Sequence, residues 1–185
     1  MPTILTHAVA GVAIAQALAP CSRRGEISLF AAGCAMVPDV DVLGFRFGVQ
    51  YGDLLGHRGL THSLLFACLV AATVTLLLRN KALGGDLRVF LCLLAAAASH
   101  GILDAFTNGG LGVAFFAPFD SARYFFWAHP ILVSPLNLGA FVTHRGISVL
   151  FSEMEWVWVP SIAVAIAARM SRCRQRAHPA VSWYI

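Results

Sequence analysis

Five apolar runs, at residues 4–19, 27–43, 60–78, 89–106 and 147–168, constrain this chain more than any other feature. A helix that crosses the hydrocarbon core of a bilayer needs roughly 20 mostly apolar residues. In lipid every backbone N–H and C=O must be paired inside its own segment, so such runs fold as helices packed side by side. No strand-like alternation recurs, which excludes a β-barrel. Composition agrees: charged residues make up 12% of the 185 and hydrophobic ones 58%, against about 25% charged in a soluble domain. The mean hydropathy is +0.75. The expectation is an all-α, polytopic membrane bundle of about five spans. One membrane-embedded domain covers residues 1–168 and a basic tail covers 169–185. The first two runs are short for a span and need flanking polar residues in the interface. Residues 95–98 are all alanine, and small residues let membrane helices approach closely.

The segments between the runs carry the remaining structural signals. No Lys or Arg precedes the first run and His7 lies inside it, so it reads as mature protein rather than a signal peptide. Between Asn108 and Arg145, glycines, prolines and a group of aromatics around Phe115–Trp127 predict a long interfacial loop joining spans four and five. The cysteines are scattered without a CxxC pair and read as small core residues. A net charge of +4, with no basic helix interleaved with aromatics, excludes a nucleic-acid partner. The expected partners are the lipid bilayer and a small-molecule or lipid substrate.

If the runs alternate across the membrane, one face receives Arg23, Arg24, Arg79, Lys81, Arg88, Arg169, Arg172, Arg174 and Arg176. The other receives only Arg46, Arg58, Arg123 and Arg145. The excess of positive charge marks the first face as cytoplasmic. The residues that can do chemistry all fall on the opposite side. His7 begins the first run, Asp39 and Asp41 end the second, and His57 and His62 open the third. His100 and Asp104 end the fourth, and Glu153 and Glu155 lie early in the fifth.

Each group has a physical reading. Ionisable side chains at membrane depth are costly and mark function. His100 and Asp104 are four apart and share a helix face, where both can ligate one ion or one can orient the other. Pro38 weakens the helix beside Asp39 and Asp41 and is expected to turn the carboxylates outward. Two carboxylates so close repel unless a cation sits between them, and a divalent metal resolves the conflict. The octapeptide at residues 56–63 holds His57, Arg58, Thr61, His62 and Ser63. Its histidines can ligate or exchange protons. Arg58 can neutralise an anionic oxygen such as phosphate. Glu153 is a further candidate base or ligand. His7, Asp39, Asp41, His57, His62, His100 and Asp104 thus form the candidate metal set, with His57, Arg58, His62 and Glu153 as candidate catalytic residues. These are N and O donors without thiolate, which favours zinc, with manganese, iron or magnesium compatible. More than four donors leave room for two ions, an arrangement suited to phosphoester hydrolysis.

The order of these motifs is itself distinctive. Thr6-His7, then Pro38-Asp39-Val40-Asp41, then Gly56-His57-Arg58-Gly59-Leu60-Thr61-His62-Ser63, then His100-x-x-x-Asp104-x-x-Thr107-x-x-Gly110, with Pro118-Phe119 and Ser134-Pro135 behind them, resembles the YdjM/YbcI-like family. The resemblance implies a metal-dependent hydrolase of the bacterial inner membrane, with the same seven histidines and aspartates as its polar set. The expected function is hydrolysis of a phosphoester, a lipid or envelope metabolite, by a metal-activated water on the non-cytoplasmic side. The rival is transport, in which the same residues relay protons or pass a metal ion.

Overall fold

The computed structural model of the chain describes residues 1–79, 86–135 and 138–177; Lys81 and the end of the basic tail, residues 178–185, lie outside them. Helix α1 (Ile4–Leu18) stops because Ala19 precedes Pro20 and adopts the extended conformation (φ −65°, ψ 151°) that proline imposes on its neighbour. Helix α2 (Arg24–Met36) runs on as a 3-10 helix, Val37–Phe47. Pro38 sits at its start, where a missing N–H costs least. Helix α3 (Leu64–Arg79) is opened by Ser63, whose hydroxyl accepts the Phe66 N–H at 3.1 Å. Helix α4 (Leu87–Ala105) is capped the same way by Asp86, which accepts from Val89 N–H at 2.8 Å. A single turn, α5 (Leu138–Phe141), leads to α6 (His144–Glu153). That helix passes through a π-helical turn, Met154–Trp158, into α7 (Val159–Ala177).

The described chain is helical, with two isolated bridges, Thr107 to Ile131 and Val113 to Tyr124, in the segment between α4 and α5. Helix α1 is central and packs on α2, α4 and α7, while α3 packs on α4. The α1–α2 contact is made by missing side chains. A Cβ on Gly11 would lie 2.6 Å from the Ala31 carbonyl oxygen and 3.0 Å from the Ala35 Cβ, so only glycine permits this approach. The core beneath is small and aliphatic, with Ala15, Ala31, Cys34, Ala71, Cys92, Leu93 and Ala96 buried together. Lipid gives little hydrophobic drive for helices to associate, so close contact between small residues supplies the cohesion.

Three helical stretches are long and apolar enough to cross a membrane, Cys21–Phe47, Leu87–Ala105 and His144–Ser171, while Ile4–Leu18 and Leu64–Arg79 are apolar but shorter. The outward surfaces suit lipid: Leu29, Leu77 and Val159 are 75%, 65% and 61% exposed. The polar residues collect at the end of the bundle where α1 begins and α4 finishes.

Candidate metal centre

Four pieces of chain converge at that end of the bundle. The first turn of α1 brings His7 and the last turn of α4 brings His100 and Asp104, all fully buried. The 3-10 extension of α2 brings Asp39 and Asp41, the turns before α3 bring His57, and a short 3-10 helix, Leu60–His62, brings His62. Proline was expected to turn the carboxylates outward, but both are buried, and it is Val40 between them that faces out at 59% exposure. The 3-10 geometry accounts for the difference. It turns about 120° per residue, so positions two apart point in different directions and the intervening residue takes the third. Asp39 therefore meets His100 and His62, and Asp41 meets His57 and His62.

His7 and His100 stack with ring centroids 3.7 Å apart. His100 Nδ1 lies 2.6 Å from the Ala35 carbonyl oxygen. A carbonyl only accepts, so Nδ1 carries the proton and Nε2 keeps its lone pair. That Nε2 lies 3.0 Å from His62 Nε2 and 3.4 Å from Asp39 Oδ1. His62 Nε2 also faces Asp104 Oδ2 at 3.3 Å, and its Nδ1 faces Asp41 Oδ2 at 3.2 Å. Burial alone would lower the His62 pKa, but hydrogen bonds to Asp104 and Asp41 outweigh it and push it up to about 9. Asp41 in turn accepts from His57 Nδ1 at 2.8 Å and from the Thr61 hydroxyl at 2.6 Å.

The polar inventory of this cluster does not close. Both ring nitrogens of His7 and both carboxylate oxygens of Asp39 are buried without a hydrogen-bond partner, while Asp104 is met by Arg58 Nε at 3.1 Å and His62 Nε2 at 3.3 Å. Each such group costs about 1–3 kcal/mol when left unsatisfied. Three overlapping trios bring their donor atoms within 4.8 Å of one another: His7, Asp39 and His100; Asp39, His57 and His62; His62, His100 and Asp104. The fixed lone pair of His100 and the donor-free carboxylate of Asp39 fit a divalent cation. Six of the seven residues of the expected metal set fall in these trios; Asp41 stands beside them, its oxygens engaged by His57, Thr61 and His62.

Two expected catalytic residues are placed differently. Arg58 was expected to face an anionic substrate, but its side chain is fully buried and committed to the fold. Nε lies 3.1 Å from Asp104 Oδ2, Nη1 donates to the Gly109 carbonyl at 2.7 Å and Nη2 donates to Thr107 Oγ1 at 2.8 Å. Its backbone is left-handed, with φ 63°, a conformation unfavourable for any residue with a side chain. Gly110 completes this cradle. Its φ is +92°, and a Cβ there would lie 2.7 Å from Arg58 Nη1 and 2.7 Å from the Tyr51 hydroxyl. The run Asp104, Thr107, Gly110 thus holds the arginine that balances Asp104. Glu153 is also occupied: it accepts from Thr3 N–H, the Thr3 hydroxyl and the Thr6 hydroxyl, each at 2.6 Å. Trp158 Nε1 adds a 2.7 Å bond to Thr6 Oγ1. Glu153 is a fastener between α6 and the start of α1, where a negative charge also complements the helix dipole.

Some contributors carry no sequence signal. The Ala35 carbonyl that orients His100 is backbone. Arg123 donates to the carbonyls of His57, Tyr51 and Asp53 at 3.1 to 3.3 Å, tying down the coil that bears the histidines.

The family model described as YdjM inner membrane protein matches residues 1–176. Inner membrane protein YbcI of Escherichia coli strain K12 is 40% identical over 164 residues, 88% of this chain and 94% of that protein. Uncharacterized protein YvsG of Bacillus subtilis strain 168 is 28% identical over 119 residues, 60% of this chain and 71% of that protein. No solved structure matches it.

Proposed function

The chain belongs to the YdjM inner membrane protein family, and from that premise we propose that it is a metal-dependent hydrolase of the bacterial inner membrane acting on a phosphoester. The observation that carries this reading is the set of buried ligand atoms without hydrogen-bond partners on His7 and Asp39, which lie with His62, His100 and Asp104 in overlapping trios. A divalent ion held there, zinc first and manganese, iron or magnesium next, supplies Lewis acidity and an acidified water. The rest of the chemistry falls to side chains. Ala35 fixes the His100 tautomer so that Nε2 offers its lone pair inward. Asp41 accepts the His57 Nδ1 proton, which leaves Nε2 of His57 to take up or return a proton. Arg58 offsets the charge of Asp104. The overlapping trios would leave room for two ions, as phosphoester hydrolysis uses them.

Ile4–Leu18 and Leu64–Arg79 cross with the three long helices in this reading, giving five spans, and the Lys/Arg asymmetry sets the cluster on the non-cytoplasmic side. A transport path needs ionisable side chains at several depths. Among the described residues, the buried histidines, aspartates and glutamate gather at one end, and the core below is aliphatic. This favours a reaction centre. Elemental analysis of detergent-purified protein, with turnover of phosphoesters before and after chelation, tests the reading. Stoichiometric metal and chelator-sensitive turnover are expected. Protein without metal, whose thermal stability ignores the chelator, sinks it.

A further inference from the structure

Arg58 is locked inside the fold, so the hydrolase reading needs another cation to meet the substrate. A cavity of about 390 Å3 borders the cluster, lined in part by Tyr51, His57, Gly110, Ser134 and Arg145. We propose that this cavity is the anion subsite for the substrate, with Arg145 and Tyr51 binding the free oxygens of a phosphoryl group beside His57. The proposal rests on the hydrolase reading and names the residues by which the substrate is held.

The charge pattern points to an anion. The cluster behind the cavity is rich in carboxylates, yet none of the lining residues is Asp or Glu. The cavity presents a guanidinium, a phenol, an imidazole and a hydroxyl beside Met1, Val133 and Pro135. Arg145 makes no hydrogen bond or ion pair among the described residues, and its side chain is exposed at the rim. A guanidinium without a partner is suited to grip two phosphoryl oxygens at once. Its helix is not free to drift, because Glu153 at the far end of α6 is fastened to Thr3 and Thr6.

Tyr51 is equally fixed. Its ring lies edge-on to His57 with centroids 5.3 Å apart and stacks on Phe45 at 6.2 Å. Its carbonyl is held by Arg123, and its hydroxyl sits against Gly110, where a side chain would displace it. The cavity also touches His57, whose Nδ1 lies 2.8 Å from Asp41 Oδ1. The other cavities along α1 are lined almost wholly by apolar side chains of α1 and α7 and offer nothing for charge. The size suits a small phosphomonoester or the phosphate head group of a lipid, and both share the same recognition chemistry.

The test uses the full chain, zinc-loaded in nanodiscs and titrated with inorganic phosphate by calorimetry, with metal content measured in parallel. Wild type is expected to bind phosphate, and Arg145→Ala to bind roughly ten-fold more weakly or worse, as befits loss of a charged hydrogen-bonding group. Arg145→Lys should recover part of the affinity, because it keeps the charge but loses the fork. Tyr51→Phe should weaken binding severalfold, and every variant should hold as much zinc as wild type. Glycerol phosphate in solution and phosphatidic acid in vesicles are then offered as competitors, and the one that displaces phosphate identifies the source. Equal phosphate affinity in wild type and Arg145→Ala overturns the proposal. So does zinc-loaded wild type that binds no phosphate, or phosphate displaced by neither competitor. These failures leave the metal reading standing, whereas wild type without metal takes down both.

Discussion

Asp104 and Asp39 look interchangeable as ligands, but their neighbours separate them. Asp104 pairs with Arg58 at 3.1 Å, so Asp104→Asn leaves a guanidinium buried and unpaired. Breaking such a pair costs about 3–5 kcal/mol. Asp39 has no basic partner other than histidine, and both its oxygens lack donors. Asp39→Asn should therefore lower zinc affinity about 10–100-fold while leaving the chelated protein as stable as wild type, or more so. Asp104→Asn should lose both metal and stability. Zinc titration and thermal unfolding of the two variants decide it; equal instability of the chelated forms would contradict the Arg58 pairing. His62 gives the pH dependence. Its folded pKa is raised to about 9 from an ordinary 6.5. The stability it lends the metal-free protein is whole below pH 6.5 and drains away as pH rises through 9. The unfolding midpoint of chelated protein should fall over that window. Zinc must displace the same proton, so its affinity should rise from pH 6 to pH 9.

At the scale of elements, the cluster depends on how helix ends are tied. Glu153 joins the end of α6 to the start of α1, one residue before His7 begins. Glu153→Gln keeps the shape but replaces one of two accepting oxygens with a donor, and either position faces a donor from Thr3 or Thr6. It should destabilise the protein by about 1–3 kcal/mol and weaken zinc binding through His7, without abolishing it. If Glu153 were the catalytic base, the variant would instead keep full zinc affinity and stability and lose turnover. The π-helical turn that follows at Met154–Trp158 aims Trp158 back at Thr6, so the same joint is held from both sides.

At the scale of the whole molecule, orientation remains the decisive consequence of the Lys/Arg asymmetry. Ser121 is exposed in the segment between α4 and α5, away from the cluster's own side chains. In a variant stripped of other cysteines, Ser121→Cys should react in intact cells with a membrane-impermeant thiol reagent that reaches only the non-cytoplasmic face. Labelling only after lysis would reverse the orientation while leaving the convergence of the seven residues intact.

Apolar run length and the backbone's need for hydrogen bonds were enough to read a helical membrane protein from the sequence, because those constraints act locally and at every residue. The grouping of His7, Asp39, Asp41, His57, His62, His100 and Asp104 was legible too, from the expectation that alternating runs bring residues near their successive ends to one side. What the side chains do there was not. Nothing in the sequence marks Thr107 and Gly109 as the acceptors of Arg58, and Glu153 meets Thr3 across 150 positions. A charged group is free to serve a substrate only if no buried partner claims it first. That claim is settled by tertiary contacts: they commit Arg58 and Glu153 to the fold and leave Arg145 at the rim of the cavity.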